Sequence, residues 1–123
     1  MQSPANLLVY EKSLELASWV YELSRGLPPD ERYGLTSQMR RAAVSISANI
    51  AEGCGRSGNR ALVAFLHVVL GSATELETLL IVASRLRYTE DASAKPVQER
   101  TQEIKRMISR LISRLRPRPD RPA

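Results

Sequence analysis

Two residue types on which much protein chemistry depends are nearly missing, because the chain has one Cys and one His. A disulfide framework cannot form within a single chain, and neither can a zinc site built from Cys and His. There is no sustained apolar/polar alternation and no Asn-Gly or Asp-Gly hairpin turn, which argues against strands. The longest stretch without a charged side chain, Ala61 to Thr74, is 14 residues, short of the roughly 20 that a bilayer requires. Residues 1–20 carry Glu11, Lys12 and Glu15 inside an amphipathic pattern and read as a helix rather than a secretory leader. A Gly-rich phosphate loop followed by Lys-Ser/Thr, an HExxH pair and a Gly-x-Ser-x-Gly elbow are all absent. The inward Glu-x-x-His motifs of a di-metal carboxylate bundle are absent too. The expectation is a non-enzymatic, cytoplasmic protein with no catalytic residues, no metal, no cofactor and no membrane partner.

What is present is ordinary globular composition: 123 residues, 43% hydrophobic and 25% charged. That length fits one domain, and helical periodicity runs throughout it. A first helix over about 5–25 places Leu7, Tyr10, Leu14, Ala17 and Tyr21 on an inner stripe that Leu16, Val20 and Leu23 widen. A second, about 35–52, turns Leu35, Met39, Ala42, Ala43, Ile46, Ile50 and Gly53 inward. Thr36 or Ser37 is expected to cap its start, and Gly53 to end it in a left-handed conformation. A third, about 59–87, is capped by Ser57 or Asn59 and carries Leu62, Leu66, Val69, Ala73, Leu76, Leu80 and Ala83 in an unbroken 3-4 repeat. It is apolar on its other sides as well, so several neighbours must cover it. Gly71, Ser72 and Ala73 form a small patch where another backbone could approach. The fourth begins near Ser93 or Pro96 and runs to about 115, with Val97, Ile104, Ile108, Leu111 and Leu115 inward. Short connections make this an all-α, up-down-up-down antiparallel four-helix bundle over residues 1–116, with a flexible Pro/Arg-rich tail at 117–123.

The formal net charge is +5 and is unevenly placed. Residues 105–123 hold seven basic side chains against Asp120, while residues 1–104 hold 11 basic and 12 acidic. This points to a polyanion partner, RNA or DNA. Arg106, Arg110, Arg114 and Arg116 are the first candidates for phosphate contact, with Arg40, Arg41, Arg56 and Arg60 as a second patch. No aromatic residue is interleaved among the basic ones, so binding should be salt-dependent and largely blind to sequence. A protein-interaction scaffold without nucleic-acid affinity is the alternative. Arg60 and His67, seven apart on one helix face, also resemble the loose Arg/His motif of HEPN-type ribonucleases. There Arg60 would stabilise phosphoryl charge and His67 would act as general acid/base. On the second helix Arg41, Ser45, Asn49 and Glu52 share a polar stripe, and a hydrogen-bonded network joining Asn49 to Glu75 is a further expectation.

The run Glu31-Arg32-Tyr33-Gly34-Leu35-Thr36-Ser37-Gln38-Met39-Arg40-Arg41-Ala42-Ala43, continued by Ser45-Ile46-Ser47-Ala48-Asn49-Ile50-Ala51-Glu52-Gly53, resembles the bacterial four-helix bundle proteins encoded in intervening sequences of 23S ribosomal RNA genes. Arg56 and Gly71-Ser72-Ala73-Thr74-Glu75-Leu76-Glu77 match that pattern as well, and the resemblance covers about residues 7–115. Ser47 stands where the family often has Pro, and Leu27-Pro28-Pro29 where it often has Phe-Pro. The resemblance implies an up-down bundle assembling as a ring-shaped homo-oligomer, a homopentamer. It also implies kinship with the accessory variability protein of diversity-generating retroelements, a basic bundle that binds nucleic acid and its reverse transcriptase. It carries over no catalytic residue.

Overall fold

The computed structural model describes residues 1 and 3–116; the expected tail at 117–123 lies outside the described residues. Among the described residues the regular structure is helical: α1 (Pro4–Ser24), a single 3-10 turn (Pro29–Glu31), α2 (Leu35–Cys54), α3 (Asn59–Arg85) and α4 (Asp91–Leu115). Cross-helix contacts fix their directions. Ser13 meets Ser47 and Ser24 meets Arg40, so α1 and α2 are antiparallel. Ser45 meets Ser72 and Gly53 faces Phe65, Glu77 meets Lys105 and His67 meets Arg116, and Lys12 meets Glu103 while Glu15 meets Arg100, which sets each remaining adjacent pair antiparallel. Each helix packs on the next and α4 returns to α1, closing a four-helix bundle.

The core is the bundle axis. Leu16, Met39, Ile46, Ile50, Leu66, Leu76, Leu80, Ile104 and Ile108 are fully buried there, and each such side chain contributes about 1.5–3 kcal/mol by leaving water. On α3 the 3-4 repeat is the inward stripe, with Leu66, Val69, Ala73, Leu76, Leu80 and Ala83 all buried. By length and composition α3 could also cross a membrane; here that stripe is core, and Glu77 on the same helix meets Lys105 at 2.6 Å.

On α1 the inner face is the expected one only in part: Leu16 and Val20 are buried, and Tyr10, Ala17 and Leu23 pack against the core. Val9, Ser13, Leu16, Val20 and Ser24 are buried, whereas Leu7, Leu14 and Tyr21 are exposed. Two serines interrupt the true inner face and disguise it in the sequence. They can be buried because their hydroxyls are satisfied: Ser13 donates to the Tyr10 carbonyl at 2.6 Å and accepts from Ser47 at 2.9 Å. Ser24 donates to the Tyr21 carbonyl at 3.1 Å and accepts from Arg40 Nε at 2.8 Å.

The helix ends also differ from the sequence reading. Gly34, not Thr36 or Ser37, precedes the first residue of α2, and the Glu31 carboxylate accepts from the Leu35 N–H at 3.4 Å. Gly53 lies inside α2 rather than at a left-handed stop, since the helix continues to Cys54 and ends at Gly55 with φ −83°. What Gly53 provides is closeness. A Cβ there would stand 2.8 Å from Phe65 Cβ and 3.1 Å from Leu62 Cδ1, so α2 and α3 approach by backbone at this point. Gly58, at φ 83°, takes the cap position expected of Ser57 or Asn59. α3 ends at Arg85 with Arg87 left-handed at φ 62°, and the Tyr88 N–H donates back to the Ala83 carbonyl at 2.9 Å. α4 starts earlier than expected, at Asp91, and carries Pro96 within it. Gly71 has no atom from another part of the described residues within 4 Å of where a Cβ would stand, so no other helix approaches it closely there.

Candidate nucleic-acid interface

Antiparallel helices joined by short connections put four chain segments at each end of the bundle. At one end α1 begins, α2 turns through residues 55–58 into α3, and α4 finishes. Arg56, Arg60, Arg110, Arg114 and Arg116 therefore stand toward the same end, although Arg56 and Arg116 are 60 positions apart in the sequence. All five are exposed. Glu52, two turns or less from the end of α2, is the acid among them, and it accepts from Arg56 Nη2 at 2.6 Å. The Arg56 guanidinium also lies 5.4 Å from the Phe65 ring centre. Among the described residues Arg60, Arg110 and Arg114 make no ion pair.

Two clefts open at this end. The larger, about 620 Å³, has Ser3, Asn6, Cys54 and Gly58 along its walls and Arg56 and Arg114 at its rim. The second, about 540 Å³, is lined by Asn59, Arg60, Val63, Leu115 and Arg116. Beside it Arg116 Nη2 lies 3.3 Å from His67 Nε2. Cys54 is half-buried, and burial pushes its thiol above the ordinary range, so it is a poor nucleophile at neutral pH. Among the described residues no group of three His, Cys, Asp or Glu side chains could hold a metal ion.

The remaining sequence candidates stand elsewhere. Arg106 lines a groove between α1 and α4 with Trp19, Glu99, Arg100 and Glu103. Arg100 itself stacks 4.4 Å from the Trp19 ring centre and reaches Glu103 at 3.1 Å. Arg40 is occupied in joining α2 to α1, through Ser24 and 4.6 Å over the Tyr21 ring. Arg41 borders a polar groove with Gln38, Ser45, Ser72 and Glu75. The rest of α2 to Cys54, about 21 Å of helix, separates Arg40 from the turn that carries Arg56, so the four arginines of the second patch do not form one surface. Asn49 donates to the Ser45 carbonyl at 2.8 Å and to Ser45 Oγ at 3.0 Å, and Ser45 meets Ser72 at 2.9 Å. Glu75 is exposed and takes no part in that network, contrary to the sequence expectation.

Sequence reasoning had both halves of the basic end but not their union. It also missed the His67–Arg116 contact. The available signal was topological: in an up-down bundle the α2–α3 turn and the end of α4 share one end.

With this geometry in view, the match to known proteins is specific. The 23S rRNA-intervening sequence protein family matches over residues 5–110. The chain belongs to that family. Among solved structures it is similar to a protein of unknown function from the S23 ribosomal protein family of Bacteroides thetaiotaomicron. The two share 24% identity and a TM-score of 0.82 over 89% of this chain and 98% of that one. The likeness extends the family assignment to the fold. No curated protein matches the chain.

Proposed function

We propose that the protein is a non-catalytic accessory module that binds RNA or DNA through phosphates at the basic end of the bundle. The observation that carries the reading is the placement of Arg56 and Arg114 on one cleft and of Arg60 and Arg116 on another at the same end of the bundle, with Arg110 one turn further along α4. Phosphate contacts of this kind bind without reading sequence, and they weaken steeply with salt.

The module acts as a ring-forming homo-oligomer. Besides Met1, Leu8, Tyr33 and Leu86, its exposed large apolar side chains are Leu7, Leu14 and Tyr21 on α1 with Val44 on α2, and Val68, Ile81 and Val82 on α3. Gly71 lies within the α3 set, with open space around it. Two different patches suit a head-to-tail contact, which closes into a ring when the rotation permits. A ring repeats the basic end once per subunit, so weak contacts add as avidity.

Fluorescence anisotropy with labelled RNA and DNA at low and moderate salt tests the binding, and light scattering tests the assembly. Binding that weakens with salt and is reduced in Arg60→Ala/Arg114→Ala supports the reading. No binding at low salt refutes it and favours a protein-interaction scaffold.

A further inference from the structure

The sole histidine stands at the basic end and is held by it. A guanidinium only donates, so in the 3.3 Å contact His67 Nε2 is the acceptor for Arg116 Nη2. Arg60, seven residues earlier on α3, lies on the same helix edge, about 20° off register. Arg60 and Arg116 share the 540 Å³ cavity, whose apolar floor is Val63 and Leu115. The charged groups around His67 can be named from each packed element. From α4 the facing charge is Arg116. From α2 the charges at this level are Glu52 and Arg56, joined to each other at 2.6 Å on the Phe65 side of α3. That side is about 200° round the helix from His67. Among the described residues no carboxylate comes within 4.0 Å of the imidazole.

In this setting a proton on His67 gains nothing by itself. It would remove the acceptor from Arg116 and set a third cation beside two others. An incoming phosphodiester reverses that balance. Its oxygens accept from both guanidiniums, and a protonated Nε2 then donates one more charge-assisted hydrogen bond. The apolar floor keeps water from one side, which strengthens each of these bonds. We propose that Arg60, His67 and Arg116 form a phosphate subsite for a nucleic-acid strand, and that His67 takes a proton from solvent as the phosphate binds. No bond of the strand is broken in this step. The subsite rests on the polyanion-binding reading above and adds a proton linkage to it.

The linkage is assigned by comparison with His67→Gln, because the α-amino group also changes charge in this range. The chain has one His, and the Cys54 thiol is pushed upward by burial. Histidine is the side-chain type that ordinarily changes charge between pH 6 and 8. A probe without a terminal phosphate has no group of its own that titrates there.

The test is anisotropy of the full chain with a rhodamine-labelled oligonucleotide lacking a terminal phosphate, at pH 6, 7 and 8 and constant ionic strength. Affinity should rise as pH falls, by at most about tenfold per pH unit for one proton per subsite. His67→Gln keeps an acceptor for Arg116 and should flatten that profile, with its folding checked by thermal denaturation. Arg60→Ala should weaken binding most at pH 6. A flat wild-type profile with binding intact overturns the proton linkage and leaves the polyanion reading standing. A slope that persists in His67→Gln overturns it as well. Absence of binding at every pH fails the polyanion reading itself.

Discussion

Gly53 and Gly71 are both helical glycines, and replacing each with Ala should move stability in opposite directions. Intrinsic propensity favours Ala by about 0.8–1 kcal/mol in a helix interior. At Gly71 that is the whole effect, because no atom from another part of the described residues lies within 4 Å of the new methyl group. Gly71→Ala should therefore stabilise the folded subunit by about 0.5–1 kcal/mol. At Gly53 the new Cβ would stand 2.8 Å from Phe65 Cβ and 3.1 Å from Leu62 Cδ1. Phe65 Cβ is the root of its side chain and cannot swing away, so α2 and α3 must separate. Overpacking of this kind costs about 1–3 kcal/mol, which set against the propensity gain leaves a net loss of up to about 2 kcal/mol. Urea denaturation followed by far-ultraviolet circular dichroism separates the two variants by their midpoints at unchanged slope. A Gly53→Ala protein as stable as the parent would refute the close approach of α2 and α3. A destabilised Gly71→Ala subunit would refute the open α3 face.

Other expectations follow from single contacts. Arg60→Ala/Arg114→Ala should reduce the slope of log affinity against log salt by about 1.4 for single strands if both side chains contact phosphates, measured by anisotropy. Arg40→Ala should leave that slope unchanged and instead cost about 1–2 kcal/mol of stability through loss of the Ser24 and Tyr21 contacts. Ser13→Ala should cost about 1 kcal/mol or more by leaving the buried Ser47 hydroxyl without its acceptor, while Ser13→Ala/Ser47→Ala should recover part of that loss in the same denaturation assay. Burial raises the Cys54 thiol, so its contribution to stability is full below the unfolded thiol value, about 8.5. It is then lost as pH rises through the folded value. Stability between pH 8 and 10 should fall more in the parent than in Cys54→Ser.

How much could be read in advance varied with chemistry. On α3 the apolar repeat from Leu66 to Ala83 is unbroken, and its register was the observed one. On α1 the buried Ser13 and Ser24 hide the inner face, because a serine is admitted to a core only when particular partners satisfy it. Gly53 shows the same limit. Its sequence position suits a helix stop, and the reason for a glycine there is Phe65, which arrives from another helix.

The sequence by itself determined that the chain is helical, roughly where each helix lies, which family it belongs to and that its charge is concentrated near its C-terminal part. Those properties are local, set by periodicity, turn residues and composition within short windows. Only the tertiary structure decided which arginines stand at the same end of the bundle. Arg40 and Arg41 are close in sequence to Arg56 yet remain apart from it, because a helix is rigid and separates them lengthwise. Arg56 and Arg60 join Arg110, Arg114 and Arg116 because antiparallel packing returns the end of α4 to the α2–α3 turn. The net positive charge thereby becomes a surface at one end of the bundle, with His67 beside it.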